Sequence, residues 1–110
     1  MNEAEHWAKY APLGWRQIVA DLVEDLDAIA LRDGIRQHQI LGIKEKWGCL
    51  DVALAVYTEA LLSRLEAAEE ASRATCIRCG GPGAPIKRHR GWMQNTCQHC
   101  LDADKQRANS

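Results

Sequence analysis

"CIRCGGPGAPIKRHRGWMQNTCQHC", residues 76–100, begins and ends with a C-x-x-C pair. Its full spacing, C-x2-C-x17-C-x2-C, lies within the range of structural sites that hold zinc with four cysteines. Each pair can present two thiolates from one tight turn, and two such turns complete a tetrahedron around an ion. Gly80 directly after the second cysteine suits a backbone that must turn sharply around a metal. Cys76, Cys79, Cys97 and Cys100 are therefore the predicted ligands of one structural Zn2+. Between them GGPG opens a hairpin, APIKRHR extends, GW turns and MQNT returns.

Other chemistries fit less well. Catalytic zinc keeps an open position for water, and four cysteines leave none. Redox C-x-x-C motifs sit in thioredoxin-like units, which the flanking pattern does not show. Iron held by four thiolates shares the spacing. His99 is expected on the surface of the second turn, and Cys49 as a free thiol, buried or half-buried.

Upstream of the cysteines, apolar residues recur at helical spacing: Trp15, Ile18, Val19, Leu22, Leu26 and Ile29. With Pro12 at the start and Gly34 at the stop, they predict a helix over about 13–32. The period then changes to two. Leu41, Ile43, Glu45 and Trp47 are expected on one side of a strand, Lys44 and Lys46 on the other, with a turn near Gly48 and a return through Leu50, Val52, Leu54 and Val56. Residues 51–57 read as strand or helix, because Asp51 can cap a helix and VALAV is alanine-rich. A second helix is predicted over about 58–74, with Leu61, Leu62, Leu65, Ala68 and Ser72 along one side. The expected fold class is α+β: helix, β-hairpin, helix, then a C-terminal zinc-ribbon-like hairpin with four cysteine ligands. Its divisions are a loose lead-in (1–11), an α-β-β-α domain (12–75), the zinc hairpin packed on it (76–101) and a polar tail (102–110).

Composition limits the function classes. No apolar run approaches the about 18 residues that span a bilayer, and the N-terminus lacks a secretory h-region, so the cytoplasm is the expected compartment. There, reducing conditions favour metal binding over disulfides. Net charge is −1, but residues 1–75 hold 8 Lys/Arg against 13 Asp/Glu, whereas residues 76–110 hold 6 against 2. This polarity can steer partners.

The combination of GW at 14–15, IKEKWGCLDV at 43–52, TCIRCGGPG at 75–83 and GWMQNTC at 91–97 resembles a family of short uncharacterised bacterial and phage proteins. The likeness covers about residues 12–101. It implies the α-β-β-α architecture followed by a zinc-binding hairpin, and carries no implication about activity. Trp47, Cys49 and Asp51 depart from the family's usual Phe, Gly and Arg. A phage or mobile-element setting implies small inhibitors or adaptors of host machinery, anti-CRISPR proteins among them.

Two surfaces are candidates for binding. The acidic residues Asp21, Glu24 and Asp25 on the first helix, together with the hairpin, suit a protein partner. Lys87, Arg88 and Arg90 with Trp92 suit nucleic acid, since cations neutralise phosphates and an indole stacks on bases. An extended strand would split that basic run between two faces. Glu45, placed on an apolar side, is expected to anchor a strand end rather than to act as a general acid or base. No Ser-His-Asp order, phosphate loop or His/Asp metal cluster accompanies it, so no enzyme is expected. A protein-interaction module is the leading expectation, and a nucleic-acid-binding zinc ribbon the alternative.

Overall fold

The central helix is built by the stripe just described. The computed structural model describes residues 3–81, 87–89 and 92–108, and the backbone alone for 87–89, 92–94 and 104–108. A short 3-10 turn, Leu13–Trp15, leads into α2, Arg16–Arg32, which buries Trp15, Val19, Leu22, Val23 and Leu26 completely. Val23 joins the predicted stripe, while Ile18 and Ile29 pack at its edge. Gly34 follows the helix at φ 68, a left-handed conformation that glycine adopts without a Cβ penalty.

Residues 1–11, expected as a loose lead-in, carry the helix α1, Glu3–Tyr10, which packs on α2. Its inner side is Ala4, Trp7, Ala8 and Ala11, an i, i+3, i+4, i+7 pattern made mostly of alanines. Alanines give little hydrophobic contrast in two turns, so the period is hard to see in the sequence.

The strand pair forms as expected, with β1 at Ile40–Lys46 antiparallel to β2 at Cys49–Leu54. The open choice over residues 51–57 resolves as strand through Leu54. Trp47 and Gly48 link the strands at φ 56 and φ 81, both left-handed, as a type I′ hairpin turn requires. The register slips between Ile40 and Gly42, leaving Leu41 as the extra residue of a bulge. The pairs Ile40–Leu54, Ile43–Val52 and Glu45–Leu50 therefore share a face. Leu41, expected inside, is 58% exposed, and Ile40 takes its place in the core.

Thr58 caps the next helix, α3, Glu59–Arg73, by accepting the Leu61 N–H at 3.2 Å. Leu61, Ala68 and Ser72 face the core, whereas Leu62, expected on the same stripe, is 45% exposed. At i+1 from Leu61 it lies about 100° around the helix, off the buried face. Helix α2 packs on α1 and α3, and α3 packs on β2.

The C-terminal lobe pairs β3, Lys87–His89, with β4, Trp92–Gln94. It ends in a helix, α4, Gln98–Ala108, where a polar tail had been expected. DADKQRA lacks an apolar stripe, yet most of its residues are good helix formers, and Cys97 and Cys100 tie its first turn to the lobe.

Candidate metal centre

The first cysteine pair sits in a tight turn after α3. The Gly80 N–H donates to the Cys76 carbonyl at 2.9 Å, the Cys76 N–H to the Gly81 carbonyl at 2.9 Å, and Gly80 holds φ 76. The second pair comes from the start of α4 rather than from a second free-standing knuckle. Thiolates there meet the positive end of the helix dipole.

All four sulfurs lie within 4.8 Å of one another. Cys76 Sγ to Cys100 Sγ is 3.8 Å and Cys79 Sγ to Cys97 Sγ is 3.7 Å. A tetrahedron with metal–sulfur bonds of about 2.3 Å has sulfur–sulfur edges of about 3.8 Å. Both of these contacts run between the two pairs, where a C-x-x-C redox couple would form its bond within one pair. All five cysteines are free thiols. The residues therefore fit a tetrahedral four-thiolate metal site, a donor set that suits zinc or iron.

The backbone prepares the sulfurs for negative charge. Cys97 N–H at 3.3 Å and Arg78 N–H at 3.4 Å both point at Cys76 Sγ, and Gly81 N–H at 3.3 Å points at Cys79 Sγ. Burial works against the Cys76 thiolate, but N–H groups of Cys97, Cys79 and Arg78 outweigh it and bring the thiol down to about 6. Burial, with the neighbouring cysteines, pushes Cys100 up to about 12. Cys79 is also raised: its bond from Gly81 lowers it, and the sulfurs of Cys76 and Cys97 oppose that. Crowded thiols of this kind resist joint ionisation until a cation supplies the charge. His99 is exposed and stands outside the cluster.

The site is fixed to the helical domain through backbone contact. Gly14 N–H donates to the Ile77 carbonyl at 2.8 Å, and the Trp15 indole N–H to the Thr75 carbonyl at 3.1 Å. A Cβ on Gly14 would stand 2.0 Å from the Cys76 oxygen and 2.7 Å from the Gly80 nitrogen. Only glycine permits this approach. On the other side, buried Asn95 donates its amide to the Ser72 carbonyl, while its backbone carbonyl accepts the Ile77 N–H at 2.8 Å. Ser72 in turn accepts the Leu50 N–H at 2.9 Å and donates to the Glu69 carbonyl at 2.6 Å. The metal lobe, α3 and the hairpin thus share one buried polar chain. Asn95 and Ser72 were missed as functional positions; the GW and NTC motifs were the visible signals of this docking.

The remaining candidates are scattered. Asp21, Glu24 and Asp25 are exposed on α2, but Asp25 is taken by Arg64 of α3 at 2.7 Å and Asp21 accepts from Gln17 at 2.9 Å. This is a solvated face partly used for helix packing. Arg90 lies outside the described residues, as do the side chains of Lys87, Arg88 and Trp92; their backbones form the expected strand pair. Glu45 shares a strand face with apolar residues, yet it is exposed and its carboxylate accepts the Gly48 N–H at 2.8 Å. Its work is to hold the turn. Cys49 is half-buried and accepts from Arg73 Nε at 3.1 Å. Among the described residues no helix is long and apolar enough to cross a membrane.

Compared with family models, curated proteins and solved structures, the chain matches none.

Proposed function

We propose that this is a small zinc-stabilised macromolecule-binding protein that acts as a protein-interaction module. In the mobile-element setting that its sequence motifs suggest, it would serve as an inhibitor or adaptor of host machinery. Trp47 carries this reading. It occupies a left-handed turn position (φ 56) and is 71% exposed. A bulky residue there costs about 1–2 kcal/mol of backbone strain, and Asn or Gly would fill the turn more cheaply. Most of the indole faces water, so little of that cost is recovered by packing among the described residues. Exposed tryptophans on a rigid support are what binding hot spots are made of. The metal supplies the rigidity: a domain with a thin core gains metal-binding free energy as folding free energy.

The test is an affinity pull-down from bacterial lysate in zinc-replete buffer, with and without nuclease, using the parent chain and Trp47→Asn. A protein retained by the parent after nuclease and lost by the variant supports the reading. Capture that disappears with nuclease would replace it with nucleic-acid binding through Lys87, Arg88, Arg90 and Trp92.

A further inference from the structure

Between β2 and α3 runs a groove of about 270 Å3. It is lined by the apolar side chains of Val52, Leu62 and Leu65, by Tyr57, and by the carboxylates of Asp51, Glu66 and Glu69. Two of its lining residues are large and exposed, Tyr57 at 52% and Leu62 at 45%. The Tyr57 hydroxyl accepts the Leu54 N–H at 3.0 Å, which holds the half-exposed ring in place. Leu62 is the residue noted above as lying off the buried face of α3.

Two of the three carboxylates are paired from within, by ion pairs between exposed side chains. Lys44 reaches Asp51 only at 4.0 Å, and Arg73 holds Glu69 at 2.8 Å through side chains that are both well exposed. Such pairs are weak and exchangeable. Within α3 the acids Glu59, Glu66, Glu69 and Glu70 outnumber the cations Arg64 and Arg73, and Arg64 pairs with Asp25 on α2. A nucleic-acid backbone would be repelled here. A groove that mixes apolar side chains with carboxylates fits an amphipathic segment with aliphatic anchors and flanking cations.

We infer that the β2–α3 groove is the docking site for a cationic amphipathic helix of the protein partner. This rests on the protein-interaction reading and names the partner's chemistry. The groove has room for one or two aliphatic side chains, and the carboxylates set orientation and on-rate through attraction to Lys or Arg at either side.

The test uses the full-length, zinc-loaded protein and a fluorescein-labelled synthetic peptide with leucines at i, i+3 and i+7 and Lys/Arg elsewhere. A control peptide keeps the leucines and carries Glu in place of the cations. Anisotropy is expected to show salt-sensitive binding of the cationic peptide only. Leu62→Ser and Glu66→Lys, both at exposed positions, should each weaken it by about tenfold while melting within a few degrees of the parent. Equal binding of the two peptides, no binding of the cationic one, or parental affinity in both variants would overturn the inference. The same variants in the nuclease-treated pull-down separate the two levels. A partner retained by Leu62→Ser/Glu66→Lys as by the parent sinks the groove alone, whereas no nuclease-resistant partner for any chain sinks the interaction reading with it.

Discussion

Replacing Gly14 with alanine should separate the metal lobe from the helical domain. The new Cβ would lie 2.0 Å from the Cys76 oxygen, 2.6 Å from the Ile77 carbonyl carbon and 2.7 Å from the Gly80 nitrogen. All three are backbone atoms in a turn that the cysteines hold closed, so no side chain can swing aside. A relaxed carbon–oxygen contact is about 3.3 Å, which requires a retreat of about 1.3 Å. That would stretch the 2.8 Å bond from Gly14 N–H to Ile77 beyond bonding range and loosen the 3.1 Å bond from the Trp15 indole to Thr75. Two buried donors left without partners cost about 1–3 kcal/mol each. Looser packing around the fully buried Trp15 adds to this. The expected loss is about 3–5 kcal/mol, a large share of a small domain's stability. Urea unfolding followed by tryptophan fluorescence, with metal saturating, measures it. Gly42→Ala is the control, since nothing lies within 4 Å of its Cβ, and should stay within about 1 kcal/mol of the parent. Metal content in Gly14→Ala should remain near parental, because the ligands are untouched. A Gly14→Ala protein as stable as the control would refute the docking argument.

Three further outcomes follow from the geometry. Ser72→Ala removes the acceptor of the buried Leu50 N–H and should cost about 1–3 kcal/mol in the same urea assay. Trp47→Asn relieves a bulky residue at φ 56 and should raise stability by about 0.5–1 kcal/mol, opposite in sign to its effect on partner capture. The third concerns pH. In the metal-free protein Cys76 is lowered to about 6 and Cys100 raised to about 12. The lowered thiol contributes stability that is present above its unfolded value and lost as pH falls through about 6. The raised one contributes stability that is lost as pH climbs from its unfolded value toward 12. Cys76 therefore enters metal binding already ionised at pH 7.5 and protonated at pH 5. Calorimetry in buffers of different ionisation enthalpy should count about one more proton released at the lower pH.

How much of this could be read in the sequence depends on whether a feature is local and periodic. Trp15 to Ile29 and Leu61 to Ser72 declare their helices because large apolar residues recur against charged ones. The cysteine spacing declares its cluster because the pairs are short and the chemistry is specific. Helix α1 is hidden by alanines, which carry the helical period with little contrast. Leu41 was misplaced because a bulge shifts the phase of alternation by one residue, and the sequence contains no separate signal for it. Leu62 falls outside the buried stripe because, one residue after Leu61, it sits about 100° away around the helix, and which side of α3 is covered is a tertiary matter. Gly14 and Asn95 show the same limit. Their roles come from backbone atoms some 60 and 23 residues away in the chain, and only the short GW and NTC motifs pointed to them.

The claim on which the rest depends is that Cys76, Cys79, Cys97 and Cys100 hold one metal that ties the C-terminal lobe to the helical domain. Metal analysis of the purified chain, paired with thermal melting before and after chelation, tests it most directly. About one zinc per chain is expected, with tetrahedral thiolate absorption on cobalt substitution and a large drop in melting temperature on chelation that Cys76→Ser reproduces. A metal-free chain that melts at the same temperature with and without zinc, and is unaffected by Cys76→Ser, would contradict it.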